Sequence, residues 1–325
     1  MAKAKQPIPP ATSVVFRKAD LLQQLSFIDN NQQHRKRVLA LETAFRRKIA
    51  THISSLLLAS EPLRKFNTSP FVLLIHAFSR GYNHVSQIER DILPAKQFSS
   101  METSAGRMVE EVALPIYGWE CVASSMHSTN SALDGRLNGS NPYRVATLKS
   151  GPRCLNDEMS ENFADAVISY ADQWAAESNA QELDFTYGVL YGTTRQSNKK
   201  DWHILRKLCE KASALEQCRV IETSANKWCC KVAINSIPIT ATVRVGRDWW
   251  QYLGGNTCLM EIMTALIRAC IVPAGQEDAC HYTIQDLPSI VSMSQVEEAY
   301  NVSLLQRSQL PWFFLIAAHF CDQLD

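Results

Sequence analysis

Between Tyr143 and Gly192 the hydrophobic pattern changes period twice, and this constrains the architecture more than any other stretch of the chain. "YRVATLK" reads as a short strand whose Val145 and Leu148 argue burial on at least one face. From Asn156 to about Trp174, Met159, Phe163, Val167, Ile168 and Trp174 recur at helical spacing, and "LDFTYGVLYG" is then a mostly apolar strand ended by Gly192. Strand, helix and strand in succession predict an α/β fold with a mixed central sheet flanked by helices. "WECVASS" and "SALDGRL" add two strands before it, and Asn138-Gly139-Ser140-Asn141-Pro142 is the turn joining "SALDGRL" to "YRVATLK". A second hairpin is expected within residues 227–245, where Ile237, Ile239, Ala241, Val243 and Val245 alternate with Thr240, Thr242 and Arg244.

The flanks read as helical. Residues 1–16 form a Pro- and Ala-rich arm expected to be disordered. From Asp20 to about Ala59, Leu21, Leu22, Leu25, Phe27, Val38, Leu39, Leu41, Phe45, Ile49, Ile53, Leu56 and Leu57 recur every three or four residues. The same stretch carries His34, Arg35, Lys36, Arg37, Arg46, Arg47 and Lys48 against Glu42, which suits either a solvated face or a DNA-phosphate contact. Pro62 and Pro70 predict breaks, and a helix from about Tyr82 to Ile92 is expected to stop before Pro94. A new helix is expected in "METSAGRMVEEVALP", capped by Thr103 or Ser104, with Glu110 and Glu111 in its first turns. From Arg247 onward the pattern is helical again, with interruptions at Gly254-Gly255, Pro273, Pro288 and Pro311. The regions are therefore 1–16, an N-terminal helical region 17–100, a core 101–255 and a C-terminal helical region 256–325.

With 33 basic and 32 acidic residues, nothing global announces a polyanion partner, so a nucleic-acid surface has to come from local clustering. The apolar runs "FVLLIHAF" and "PWFFLIAAHF" are shorter than the roughly 20 residues a bilayer requires and are expected to be buried core segments, with no membrane partner. Ten scattered cysteines without a CxxC, behind a polar amino-terminal stretch, lead to the expectation of free thiols in a cytoplasmic protein.

Chemistry concentrates at the first hairpin. With the turn near Ser140, Asp134 lies opposite residue 146 or 147, and in the second of these registers Thr147 and Lys149 share its face. An Asp and a Lys across a hairpin also make an ordinary surface ion pair. At the end of a buried strand, however, the ammonium can orient a water at a phosphate while the carboxylate holds a divalent ion. Hard cations need several oxygens, so a second acid is required. Glu110, one helical turn after Gly106, is preferred over Glu111; the competing account of both is interaction with a helix dipole.

Asp134, a turn, Thr147-x-Lys149 and a glutamate on the preceding helix resemble the PD-(D/E)xK nuclease core. More narrowly, "SAGRMVEEVALP", "LDGRL", "TLKSGPRCLND", "FTYGVLYG" and "VGRDWWQYLGG", in this order over about residues 101–255, resemble a type II restriction endonuclease of the group cutting short, interrupted, GC-rich palindromes. The resemblance implies Mg2+-dependent hydrolysis of double-stranded DNA, with Asp134, Glu110 and the Leu148 carbonyl as metal ligands and Lys149 positioning the water. It also implies a homodimer and a cognate DNA methyltransferase as functional partner. The sequence departs from the pattern at Leu133, where proline is usual, and at Thr147, where Asp or Glu is usual. Glu110 would supply that missing carboxylate, with Asp157, Glu158 and Glu161 as weaker candidates. Arg107, Ser150, Arg153, Asn156, Arg195 and Lys199, from the same helix and the loops "SGPRCLND" and "GTTRQSNKK", are the candidate DNA-binding residues. Trp249, Trp250 and Tyr252 are expected in the core. A repair or junction nuclease on the same core, and a non-catalytic DNA-binding protein suggested by Thr147, are the alternative functions.

Overall fold

The computed structural model describes residues 7–8, 10–56, 68–122, 133–212, 218–271 and 302–325. A seven-stranded mixed sheet is its centre, in the order β2 (Glu120–Cys121), β3 (Gly135–Leu137), β4 (Tyr143–Lys149), β5 (Leu183–Val189), β8 (Ile237–Val245), β7 (Lys227–Ile234) and β6 (Ile221–Ser224). The middle strands β4, β5 and β8 run parallel, and the strands outside them pair antiparallel. The α/β architecture anticipated from the period switches is the one observed.

Pleating divides the core in two. Val145, Phe185, Tyr187, Val189, Ala241 and Val243 face one layer, formed by α5 (Asp157–Ser178) and α6 (Lys200–Lys211). Ala146 and Leu148 face the other, where α1 (Lys18–Asn30), α2 (Gln32–Ser54), α4 (Val85–Ile116), α7 (Arg247–Gly254), α8 (Cys258–Cys270) and α9 (Leu310–Ala317) contribute. Trp249 and Trp250 are buried here as expected, while Tyr252 is half-buried under the Arg244 guanidinium. Gly188 permits the close layering: a Cβ there would lie 2.7 Å from both Leu148 and Trp249. A short parallel pair, β1 (Val15–Phe16) with β9 (Gln323–Leu324), closes the helical side, so the end of the arm expected to be disordered is a strand with Val14 and Phe16 buried in the core.

Several expectations are corrected. The two helices expected on either side of Pro94 are one, since α4 runs unbroken through Pro94 for 32 residues. Thr103 therefore does not cap a helix; its hydroxyl bonds back to the Ser99 carbonyl at 3.0 Å. Packing of Ile92 on one side of the proline and Val112 to Leu114 on the other offsets the roughly 3 kcal/mol that an interior proline costs. Pro70 and Pro311 do not interrupt helices but open α3 (Pro70–Arg80) and α9, where the missing amide has no partner to lose. "FVLLIHAF" is not a core segment: it forms α3, which buries none of its residues. Cys209 and Cys218 are disulfide-bonded, their Cα atoms 5.3 Å apart, so the thiols are not all free; a nine-residue spacing could not reveal that approach. Residue 31 separates α1 from α2, Asn31 capping the second by accepting from the amides of Gln33 and His34. Helix α6 and strand β6 were not anticipated. Residues 1–6, Ala59, Pro62, Pro273, Pro288 and the expected strand residues 123–132 lie outside the described residues.

Glu261 fastens α4 to this scaffold. Fully buried on α8, it accepts from Tyr117 Oη at 2.6 Å, Thr257 Oγ1 at 2.9 Å and both contacts of Arg37 at 3.1 Å, with His34 Nδ1 at 2.6 Å. Tyr117 ends α4, so a satisfied buried network fixes the helix that carries Glu110.

Candidate active site

The hairpin brings Asp134 to the end of β4. The Asp134 amide donates to the Ala146 carbonyl at 2.9 Å, its own carbonyl accepts from Val122, and its Oδ2 accepts from the Leu148 amide at 2.6 Å. That last bond locks the carboxylate beside the Lys149 backbone, because Leu148 is held in turn by the parallel pairing of β4 with β5. The Lys149 ammonium lies 5.6 Å from the Phe163 ring centroid, over an apolar platform supplied by α5.

Helix α4 crosses this strand end at Gly106. A Cβ at that position would come within 2.9 Å of Ser150 Cβ, so glycine sets the approach distance. One turn later, Glu110 enters the same cleft. Burial pushes its carboxyl up, the Asp134 charge pushes it further, and Lys149 pulls it down, leaving it at about 8. Glu111 behaves oppositely. Burial raises it, but hydrogen bonds from Lys48 and Arg107 outweigh that and lower it overall. Both glutamates lie far from the start of α4, so the dipole of its first turn accounts for neither.

An open cleft of about 820 Å³ gathers these groups. Glu110, Asp134, Leu148, Lys149, Ser150 and Arg107 line it, together with Glu102, Thr103, Glu111, Cys121 and Lys48. Lys48 was not singled out in the sequence beyond its membership of the basic run on α2; nothing local distinguishes it from Arg46 or Arg47. Thr147 does not line the cleft and is buried beneath it.

The candidate DNA-binding residues divide. Arg107 and Ser150 line the cleft; Arg153, Asn156 and Arg195 are exposed and do not line it. The two loops carrying the latter three touch: Arg153 Nε donates to the Gln196 carbonyl at 3.0 Å and Asn198 Nδ2 to the Leu155 carbonyl at 3.0 Å. Asn156 caps α5 through Met159. Lys199 turns inward, bonding the Thr194 carbonyl and lying 5.3 Å from the Trp228 ring centroid, and burial lowers its pKa. Asp157 pairs with Lys200 and Glu161 with Lys207 and Lys211 on α6, so neither reaches the cleft.

Two half-buried carboxylates in one cleft with an ammonium alongside form a pocket suited to a hard divalent ion and a phosphate. No helix among the described residues is long and apolar enough to cross a membrane. No curated protein matches the chain. The family model of type II restriction endonuclease EcoO109I does match it, over residues 43–213, a span that takes in α4, the hairpin, Lys149 and all of β5. That match covers more than half of the sequence, and the chain therefore belongs to the EcoO109I family of type II restriction endonucleases.

Proposed function

We propose that this endonuclease hydrolyses phosphodiester bonds in double-stranded DNA at one specific sequence, with Mg2+, through a PD-(D/E)xK-type centre built on Asp134, Glu110 and Lys149. The observation that carries the reading is the meeting of Glu110 and Asp134 in one cleft beside Lys149, with the Glu110 carboxyl driven up to about 8 by burial and by its neighbour's charge. Such a pair is relieved by a cation between them, and the donor set of two carboxylates and the Leu148 carbonyl is the one a hard ion takes. The bound ion would polarise the scissile phosphate and lower the pKa of water.

The protein groups then divide the remaining work. Asp134, fixed by the Leu148 amide, and Glu110, fixed by α4, hold the ion. Lys149 donates to the attacking water and to a phosphate oxygen, and offsets the charge that gathers there. Arg107 and Lys48 neutralise neighbouring phosphates, with the main-chain amide of Ser150 donating to the DNA backbone. Arg153 and Arg195 present guanidinium forks to base edges, where an arginine bonds guanine in two places. This suits a GC-rich interrupted palindrome read by a two-fold dimer in the cytoplasm, with a cognate methyltransferase protecting host sites. Thr147 contributes packing under the strand, and Glu110 replaces the carboxylate usual at that position.

Incubation of the purified chain with unmethylated phage DNA and Mg2+, followed by sequencing of the ends, tests this. Discrete fragments with one common end sequence are expected, and Lys149→Ala and Asp134→Ala should each lose cleavage while retaining specific binding in gel retardation. Wild-type cutting by either variant overturns the site assignment. Cleavage governed by DNA structure would instead indicate a repair or junction nuclease, and retardation without cleavage at any divalent metal a DNA-binding protein only.

A further inference from the structure

Among the described residues, Cys209, Cys218 and Cys230 are the one group of three metal-ligating side chains whose donor atoms all lie within 4.8 Å of one another. Three separate elements bring them there. Cys209 stands in the last turn of α6, Cys218 just before β6, and Cys230 in the middle of β7. Antiparallel pairing of β6 with β7 sets Ile221 opposite Cys229, so the chain entering β6 runs alongside Cys230. Pleating turns Cys230 toward α6, where its Sγ lies 3.8 Å from the Leu205 carbonyl oxygen, and turns Cys229 to the opposite face of the sheet. Cys230 is buried, whereas Cys209 and Cys218 are half-buried, and one side of the group reaches solvent.

Two of these sulfurs form the disulfide described above. The third takes no part in that bond, and a staple alone does not call for it. In a reducing cytoplasm, moreover, such bridges are rarely kept. We propose that the reduced form of this group is a Zn2+ site, with Cys209, Cys218 and Cys230 as thiolate ligands and water in the fourth position. The inference lies outside the cleft and takes from the reading above only the reducing compartment. Opening the bridge needs a two-electron donor, a cellular dithiol: its own sulfurs join in a disulfide, the Cys209–Cys218 bond breaks, and two electrons and two protons pass to the two cysteines. Zn2+ then displaces the three thiol protons to solvent and changes no oxidation state. Tetrahedral zinc, with Zn–S bonds of about 2.3 Å, sets its sulfurs about 3.8 Å apart. Cys230 already lies within 4.8 Å of both partners, and side-chain rotation from Cα atoms 5.3 Å apart spreads Cys209 and Cys218 to that spacing. A borderline-soft ion without redox chemistry suits thiolates, where the cleft suits a hard one. Bound here, it ties the end of α6 to the β6–β7 edge of the sheet.

Co2+, as a spectroscopic probe for Zn2+, tests the proposal when added to the full chain after dithiol reduction and anaerobic desalting. Wild type should bind one ion with a sulfur-to-metal charge-transfer band and the intense visible bands of tetrahedral cobalt, all lost when an equivalent of Zn2+ is added. Cys230→Ser and Cys218→Ser should each lose the charge-transfer band; Cys218 is half-buried, so its variant keeps the test open if the buried substitution unfolds the chain. Cys229→Ser, on the other face, should keep the band. Zn2+ should also raise the melting temperature of reduced wild type by about a few degrees more than that of Cys218→Ser. A reduced wild type without the band, or a band that survives in either Cys230→Ser or Cys218→Ser, overturns the proposal. A Cys209–Cys218 bridge that re-forms in air as fast with Zn2+ as with a chelator also overturns it, and assigns the third thiol to disulfide exchange. Cobalt held by the Asp134 and Glu110 carboxylates gives no sulfur band, and the reductant is supplied, so neither the active-site reading nor the compartment decides the outcome.

Discussion

At the scale of single residues, two carboxylates are held against the preference of their surroundings, for different ends. Glu110 has its carboxyl raised to about 8 by burial and by Asp134, so in the metal-free protein its neutral form stabilises the fold fully below the ordinary value near 4.5, and that contribution is lost as pH rises through about 8. Glu110→Gln should therefore remove this loss and raise the melting temperature by about a few degrees at pH 9, while cleavage falls at least ~100-fold. Melting curves from pH 5 to 9 beside cleavage rates check both halves, and a variant that loses activity only through unfolding contradicts the assignment. Asp201, almost wholly enclosed, is also raised by burial, against Ser197 Oγ at 2.6 Å and the Trp202 amide at 2.9 Å. It takes no part in the cleft, so Asp201→Asn should flatten the decline of stability above the carboxylate range and leave cleavage as it was. Asp134 and Lys149 were legible because a turn of known chemistry joins them. Glu110 was legible because one helical turn separates it from Gly106, whereas Lys48, on α2, reaches the cleft through tertiary packing that its neighbours Arg46 and Arg47 share in sequence but not in space.

Among the elements, α4 is the one the sequence misread and on which the site most depends. Pro94 and the hydroxyls of Thr103 and Ser104 are local signals for a break and a new start, and local signals carry no record of what Ile92 and Val112 pack against. The helix ends in the Tyr117–Glu261 bond and passes Ser150 at Gly106, which together fix the height of Glu110 over the strand ends. Gly106→Ala should improve intrinsic helix propensity by about 1 kcal/mol and yet reduce cleavage by about 10- to 100-fold, because the added methyl lifts α4 off β4. Ser150→Gly in the same chain removes the atom it meets and should restore much of the rate; kinetics of the two single variants and the double variant test this. Helix α3 was misread for a related reason. Hydrophobic spacing reports an apolar helix face without saying what, if anything, in the same chain packs on it, and here the stripe of Phe71, Leu74, Ile75 and Phe78 is exposed.

Across the whole molecule, the period switches were enough for the α/β class because each strand records its own burial, but the order of strands in the sheet was not, since α6, β6 and β7 come between β5 and β8 in sequence while β8 pairs directly with β5 and leaves β7 and β6 at the edge. Distant segments then meet at Asp322. Its carboxylate accepts from the Val14 amide at 2.8 Å and from Thr193 Oγ1 at 2.6 Å, and Gly192 donates to the His319 carbonyl at 2.9 Å. Asp322→Ala leaves two donors without acceptors and should lower unfolding stability by about 2–4 kcal/mol, measured by urea denaturation. It should also loosen the loop holding Arg195, seen as faster amide exchange over residues 192–198.

The pairing of Val15 with Gln323 sets a clock as well as a contact. During translation, at about 5–20 residues per second, the first of these partners waits tens of seconds for the second to be made. Through Asp322 the same late segment braces the turn that carries Arg195. A nascent chain thus remains without this brace on the 192–195 turn until residues 322–324 have left the ribosome and found β1.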